Sequence, residues 1–150
     1  MGTLTAAAIV RRLSGRWELV SVEIIGESDT QLPFGDNPLG EVWYDPTGHF
    51  TGQIMRSSSL RFGSDDIAQG TQQEAAAAFR GYLAYFGTFE VDESAQEIMH
   101  RVRASLFPNW IGSNQRRRVR FEGEHLILDT PPFLHEGTDR RFRAVWKRGA

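Results

Sequence analysis

The stretch EIMHRVRASLF (97–107) alternates with a period of two. Ile98, His100, Val102, Ala104 and Leu106 fall on one face, and Arg101 and Arg103 fall on the other. That rhythm fits a strand with one face in a core and one in water, and no helix can satisfy it. It recurs along the chain. In 82–91, Leu83, Tyr85, Gly87, Phe89 and Val91 oppose Thr88 and Glu90. In 115–121, Gln115, Arg117, Val119 and Phe121 oppose Arg116, Arg118 and Arg120. In the last such run, Phe142, Ala144 and Trp146 oppose Arg141, Arg143 and Lys147.

Turn chemistry separates these runs from others of strand composition. Asp45-Pro46-Thr47-Gly48 lies between LGEVWY and HFTGQIMR, with proline presetting φ early and glycine supplying a positive φ late. RWELVSVEII (16–25), SNQRRRVRFE and HLILDT complete the set, although the inward face of 16–25 and of 48–56 is not evident from alternation. Two helices interrupt the strands. Residues 4–13 are rich in alanine and stop at Ser14-Gly15, and Thr71-Gln72-Gln73-Glu74 has capping-box spacing before AAAAF, which predicts a helix over 71–81. Eight antiparallel strands with short connections are best accommodated by closure, which leaves no exposed edge. The expected fold is therefore all-β: one domain over 1–150, an eight-stranded antiparallel barrel with a short N-terminal helix and one helix near 71–81. A barrel of eight strands has room for one small ligand.

The 150-residue chain has a net charge of −2 and no cysteine. Disulfides, thiolate catalysis and cysteine-based metal sites are excluded. The arginine runs at 116–118 and 140–143 lack interleaved aromatics, so they read as solvated faces and no nucleic-acid partner is expected. No apolar run nears the roughly 20 residues that span a bilayer, and the first residues do not read as a secretory signal. A cytoplasmic location and no membrane partner are expected. His49, His100, His125 and His135 are scattered, and no phosphate loop, nucleophile elbow or dinucleotide fingerprint occurs, so no metal or cofactor is expected.

LSGRWELVSVE carries a Gly-x-Trp at Gly15-Arg16-Trp17 behind a short helix. With PFGDNPLGEVWYDPTGHFTGQIMR, FRGYLAYFGTFEVDE, HRVRASLFPNWIGSNQRR and the terminal VWKR, it resembles the bacterial and fungal lipocalin-like domain proteins over nearly the whole chain. The resemblance implies a small β-barrel with an internal cavity. It implies little about ligand or reaction.

The candidate residues follow from the face assignments. His100 interrupts an apolar face, as a proton carrier, a ligand contact or a core histidine satisfied by a neighbouring hydroxyl. Tyr85 faces the same way and Tyr82 does not; each offers a phenol. Arg117 points inward if the register holds and outward after a slip of one residue. Gln53 is a candidate hydrogen-bonding group. Met55, Phe89 and Trp110 are candidate wall residues, with one of Trp43 and Tyr44 necessarily outside. Pro108 ends strand pairing, leaving Trp110 to plug one end of the barrel or to line its entrance. The function expected is binding of a small, mainly apolar molecule inside the barrel. The alternative is an enzyme of secondary metabolism, a cyclase, isomerase or hydratase, with His100 and Tyr85 as general acid or base. The partner expected is that small molecule, with a homodimer the one protein assembly kept in view.

Overall fold

The computed structural model describes residues 2–150. Helix α1 (Ala6–Leu13) starts at Thr5, whose hydroxyl accepts from the Ala8 amide. Strand β1 (Gly15–Ile25) leads through a two-residue strand β2 (Thr30–Gln31) to the hairpin β3 (Leu39–Tyr44) and β4 (His49–Met55). Helix α2 (Gln72–Arg80) carries the capping box that its sequence predicts: the Thr71 hydroxyl accepts from the Glu74 amide, and the Glu74 carboxylate accepts from the Thr71 amide. Then come β5 (Tyr82–Asp92), β6 (Glu97–Ser105), a single 3-10 turn (Pro108–Trp110), β7 (Asn114–Glu122), β8 (His125–Asp129), the short β9 (Phe133–His135) and β10 (Thr138–Arg148).

All pairings are antiparallel, and β1 is bonded to both β3 and β10. The sheet thereby closes into an eight-stranded barrel of β1, β3 to β8 and β10, with β2 and β9 as short ribbons appended to β1 and β10.

Two bulges explain where simple alternation falters. In β1, Trp17 and Leu19 are buried, then Val22 and Ile24. The pairing with β10 shifts between Leu19 and Ser21, so Val20 is the extra residue and the inward parity changes from odd to even. In β6, Val102 opposes Gly87 but Ala104 opposes Phe86, leaving Arg103 unpaired. Beyond that point Ala104 shares the outward side of Phe86, and Leu106 is exposed, which corrects the inward placement expected for both. Gly87 permits the bulge: a Cβ there would lie 1.9 Å from the Arg101 carbonyl oxygen. In β4 the inward residues are Phe50, Gly52 and Ile54, a face that sequence pattern hides because Gly52 has no side chain.

The two ends of the barrel differ. Helix α1 closes one, with Ile9 and Leu13 fully buried and the Trp17 indole N–H donating to the Leu13 carbonyl at 2.7 Å. The Gln96 and Glu93 side chains accept from the Leu4 and Ala6 amides and tie the helix to the β5–β6 turn. At the other end the connections before β3, after α2, after β6 and after β8 surround an opening.

Candidate functional site

Behind that opening lies a cavity of about 620 Å³, within the range of small-molecule sites. Strands β3, β4, β5 and β6 form one wall with Val42, Phe50, Leu83 and Tyr85; β1, β8 and β10 form the facing wall with Ile24, Leu128, Phe142 and Trp146. Phe34, Phe79, Phe107 and the Pro131-Pro132-Phe133 segment rim the mouth.

His100 stands on the cavity wall near its floor, only 2% exposed. Its Nε2 is hydrogen-bonded to the Tyr44 hydroxyl at 2.8 Å, and Phe50 stacks on its ring with centroids 4.2 Å apart. Its Nδ1 has no partner among the described residues. Burial, and then the Arg117 charge, hold the His100 pKa well below its ordinary value, so the ring is neutral at neutral pH. Burial and the neighbouring Tyr85 push the Tyr44 pKa well above that of a free phenol, against a smaller opposing pull from Arg117. The pair is a neutral hydrogen-bonded unit.

Nearer the mouth, Arg117 points inward and is 7% exposed, with Val119 and Phe121 buried beside it on the same face. Its Nη1 donates to the Arg116 carbonyl at 2.8 Å, and its Nη2 makes a long 3.5 Å contact with the Tyr85 hydroxyl. The guanidinium carbon lies 5.8 Å from the centre of the Trp110 ring, and Tyr85 meets that ring edge-on at 5.2 Å. Trp110 is delivered there by the 3-10 turn that Pro108 begins, so it forms wall beneath the rim while staying half-buried. Tyr85, Trp110 and Arg117 thus make one cluster on the cavity side, and His100 joins it through an edge-on contact with Tyr85 at 5.8 Å.

The remaining candidates lie elsewhere. Gln53 and Tyr82 are on the outer parity of β4 and β5, where the Tyr82 hydroxyl donates to the Gln53 amide oxygen; they line the cavity at its mouth. Met55 shares that outer parity and sits in a shallow groove with Leu39 and Gly40, so it is no part of the cavity wall. Phe89 does face inward but lies below the floor, buried edge-on against Tyr44 at 5.1 Å. Alternation gives a residue's face and says nothing of its depth. Of the adjacent aromatics, Tyr44 is inside and Trp43 outside. The role of Tyr44 as partner of His100, 56 residues away, had no local signal. Nor did the cavity exposure of Trp146, whose indole N–H lacks a partner among the described residues.

Among the described residues there is no group of three or more His, Asp or Glu side chains placed to hold a metal ion, and no helix is long and apolar enough to cross a membrane. A family profile described as a lipocalin-like domain matches residues 14–149. The 4'-hydroxy-3'-methoxypropiophenone carrier protein ppsC of Aspergillus oryzae is 35% identical over 103 residues, which span 64% of this chain and 93% of that protein. A crystal structure of a lipocalin-like protein from Bacteroides uniformis aligns over 92% of this chain and 99% of its own, with a TM-score of 0.47 and 12% identity. With the profile covering nearly the whole closed barrel, this chain belongs to the family of lipocalin-like domains.

Proposed function

We propose that the barrel binds and carries a small, mainly apolar molecule, held in the cavity between the β4–β5 wall and the β8–β10 wall. The observation that carries this reading is the cavity itself: about 620 Å³, apolar over most of its lining, reached through an aromatic and proline rim, with a few polar groups gathered on one side. The relative named as a carrier of an aryl ketone supports the same reading. The stacking surfaces of Phe50, Tyr85 and Trp110 suit an aromatic ring. His100 contributes shape and rigidity in this reading, because Tyr44 holds its Nε2 and Phe50 covers one ring face.

The test uses the aryl ketone of the relative's name as probe, followed by quenching of tryptophan fluorescence. Binding is expected with quenching that falls in Trp110→Phe and Trp146→Phe, the two cavity tryptophans, while Trp43 on the outer face contributes none. Native mass spectrometry of the purified protein should show one small molecule per chain at most. Absence of binding by the ketone and by other apolar aromatics of similar size refutes the proposal.

One observation favours a second reading, conversion of the bound molecule by a cyclase, isomerase or hydratase activity. The Tyr85 hydroxyl stands beside a guanidinium inside the cavity and can donate to a substrate oxygen. This reading requires product formation that is lost in Tyr85→Phe while binding persists.

A further inference from the structure

We infer that the molecule held in the barrel carries a negatively charged oxygen, a carboxylate or an ionised phenol, and that Arg117 with Tyr85 is the seat of that oxygen. The inference rests on the binding function proposed above and names the chemical class of its ligand.

The first observation is a cation without a counter-ion. Arg117 is buried, yet no carboxylate among the described residues lies within ion-pair distance of it. A guanidinium has five N–H donors. Here one serves the Arg116 carbonyl and one makes the long contact with Tyr85, which leaves most of the fork unused. Several arginines on the outer surface do have a carboxylate partner. Arg16, Arg101, Arg140 and Arg143 each meet a carboxylate at 3.0 Å or less. A buried charge lacking such a partner is costly unless something else supplies one.

The second observation is independent of the first. Arg117 is the charged side chain buried in the cavity, Arg80 stands exposed at the mouth, Arg116 turns its guanidinium outward, and no aspartate or glutamate among the described residues lines the cavity. The chain as a whole has more acidic than basic side chains, 19 against 17. With no acidic side chain among the described residues lining the cavity, the Arg117 charge is left unopposed there, in surroundings of low dielectric where its field is strong. An oxygen at the Arg117–Tyr85 corner gains two charge-assisted donors, and the hydrocarbon body then lies toward Leu128, Phe142 and Trp146 across the barrel.

Two pairs of probes test this on the intact protein, each pair matching shape and differing in charge: naphthoate against naphthamide, and para-nitrophenol against para-nitroanisole. Affinities are measured by calorimetry, and the absorbance of bound nitrophenol reports its ionisation. In the wild type the charged member is expected to bind at least about 10-fold tighter, the usual advantage of a charge-assisted bond. Bound nitrophenol should also be ionised at a pH where the free form is largely not. In Arg117→Met and Arg117→Gln the preference should fall within about 2-fold, with the neutral members still bound, and Arg117→Lys should keep part of it. Thermal melts establish that each variant is folded. Preference in only one pair supports the inference and identifies the source of the oxygen. Equal binding of charged and neutral members by the wild type overturns the inference and leaves the carrier function standing, as does a preference that survives Arg117→Met. Failure of all four probes overturns both.

Discussion

The buried His100 makes stability depend on pH in a way that can be worked out beforehand. In the folded chain the ring is 2% exposed, hydrogen-bonded to Tyr44 through Nε2 and neutral, its pKa driven well below 6.5 by burial and by Arg117. In the unfolded chain it regains its ordinary pKa of 6.5. As pH falls below that value the unfolded state takes up a proton that the folded state does not. The stabilising contribution is therefore fully present above 6.5 and is lost progressively as the pH falls toward the folded pKa. One proton corresponds to a slope approaching about 1.4 kcal/mol per pH unit, which amounts to about 2 kcal/mol between about pH 7 and about pH 5. The groups facing the ring do not obscure this. Tyr44, its hydrogen-bond partner, is held protonated throughout by burial. The carboxylates held below their ordinary range by hydrogen bonds, Asp29, Glu41, Asp45, Glu74 and Asp92, act at lower pH. The assay is urea unfolding of the wild type and His100→Gln across that interval. The variant is less stable at neutral pH, and its deficit should shrink by about 2 kcal/mol on reaching about pH 5. Parallel stability curves would refute the reasoning, because they would mean that His100 takes up its proton equally in both states and so has access to water.

Three other substitutions probe different parts of the molecule. Gly87→Ala places a Cβ 1.9 Å from the Arg101 carbonyl, so the β5–β6 bulge must open; a loss of about 3 kcal/mol or more in chemical denaturation is expected, and a cost below about 1 kcal/mol would contradict the geometry. Ile9→Ala removes a fully buried side chain from the closed end and should cost about 2–5 kcal/mol while leaving ligand affinity unchanged, since the cavity opens at the other end; a large change in affinity by calorimetry would disprove that separation. Arg117→Met replaces an uncompensated buried charge by an apolar chain of similar length. Without ligand it should leave stability unchanged or raise it by about 1–4 kcal/mol in urea melts, and a clear loss would show that Arg117 makes a structural bond.

Much of the barrel was legible because its signals are local. The β6 face of Ile98, His100 and Val102, the Thr71 capping box and the Asp45–Gly48 turn each declare themselves within a few residues. The parity of β1 was not legible, because the bulge at Val20 converts an odd set, Trp17 and Leu19, into an even one, Val22 and Ile24. The end of β6 was misplaced for the same reason, with Arg103 as the extra residue. Strands β2 and β9, of two and three residues, are too short to show any period. The candidate site divides similarly. Tyr85 could be placed by face alone, whereas Arg117 stayed open between the two faces because RRRVR puts arginine on both. The Tyr44–His100 bond depends on how eight strands close, and the depth of Phe89 could not be read because alternation carries no information about height along the barrel axis.

The run RRRVR sharpens the case that Arg117 serves the ligand rather than the fold. Arg116, Arg118 and Arg120 share the outer parity of β7, and Arg116 and Arg120 reach Asp92, Glu97, Glu122 or Asp129 there. The register that puts them outside is fixed by Val119 and Phe121, whose burial is worth roughly 1.5–3 kcal/mol each, and a slip of one residue would expose both while bringing several arginines inside. That register obliges residue 117 to face inward. It does not oblige residue 117 to be arginine. An apolar residue there would satisfy the same pairing with Ile98, extend the same buried face and remove an unpaired charge. The fold thus gains from this guanidinium one bond to the Arg116 carbonyl, a long contact with Tyr85 and a place beside Trp110, and it bears the desolvation of the charge. Together with a cavity whose lining contains no carboxylate among the described residues, that is the argument for the anionic occupant inferred above.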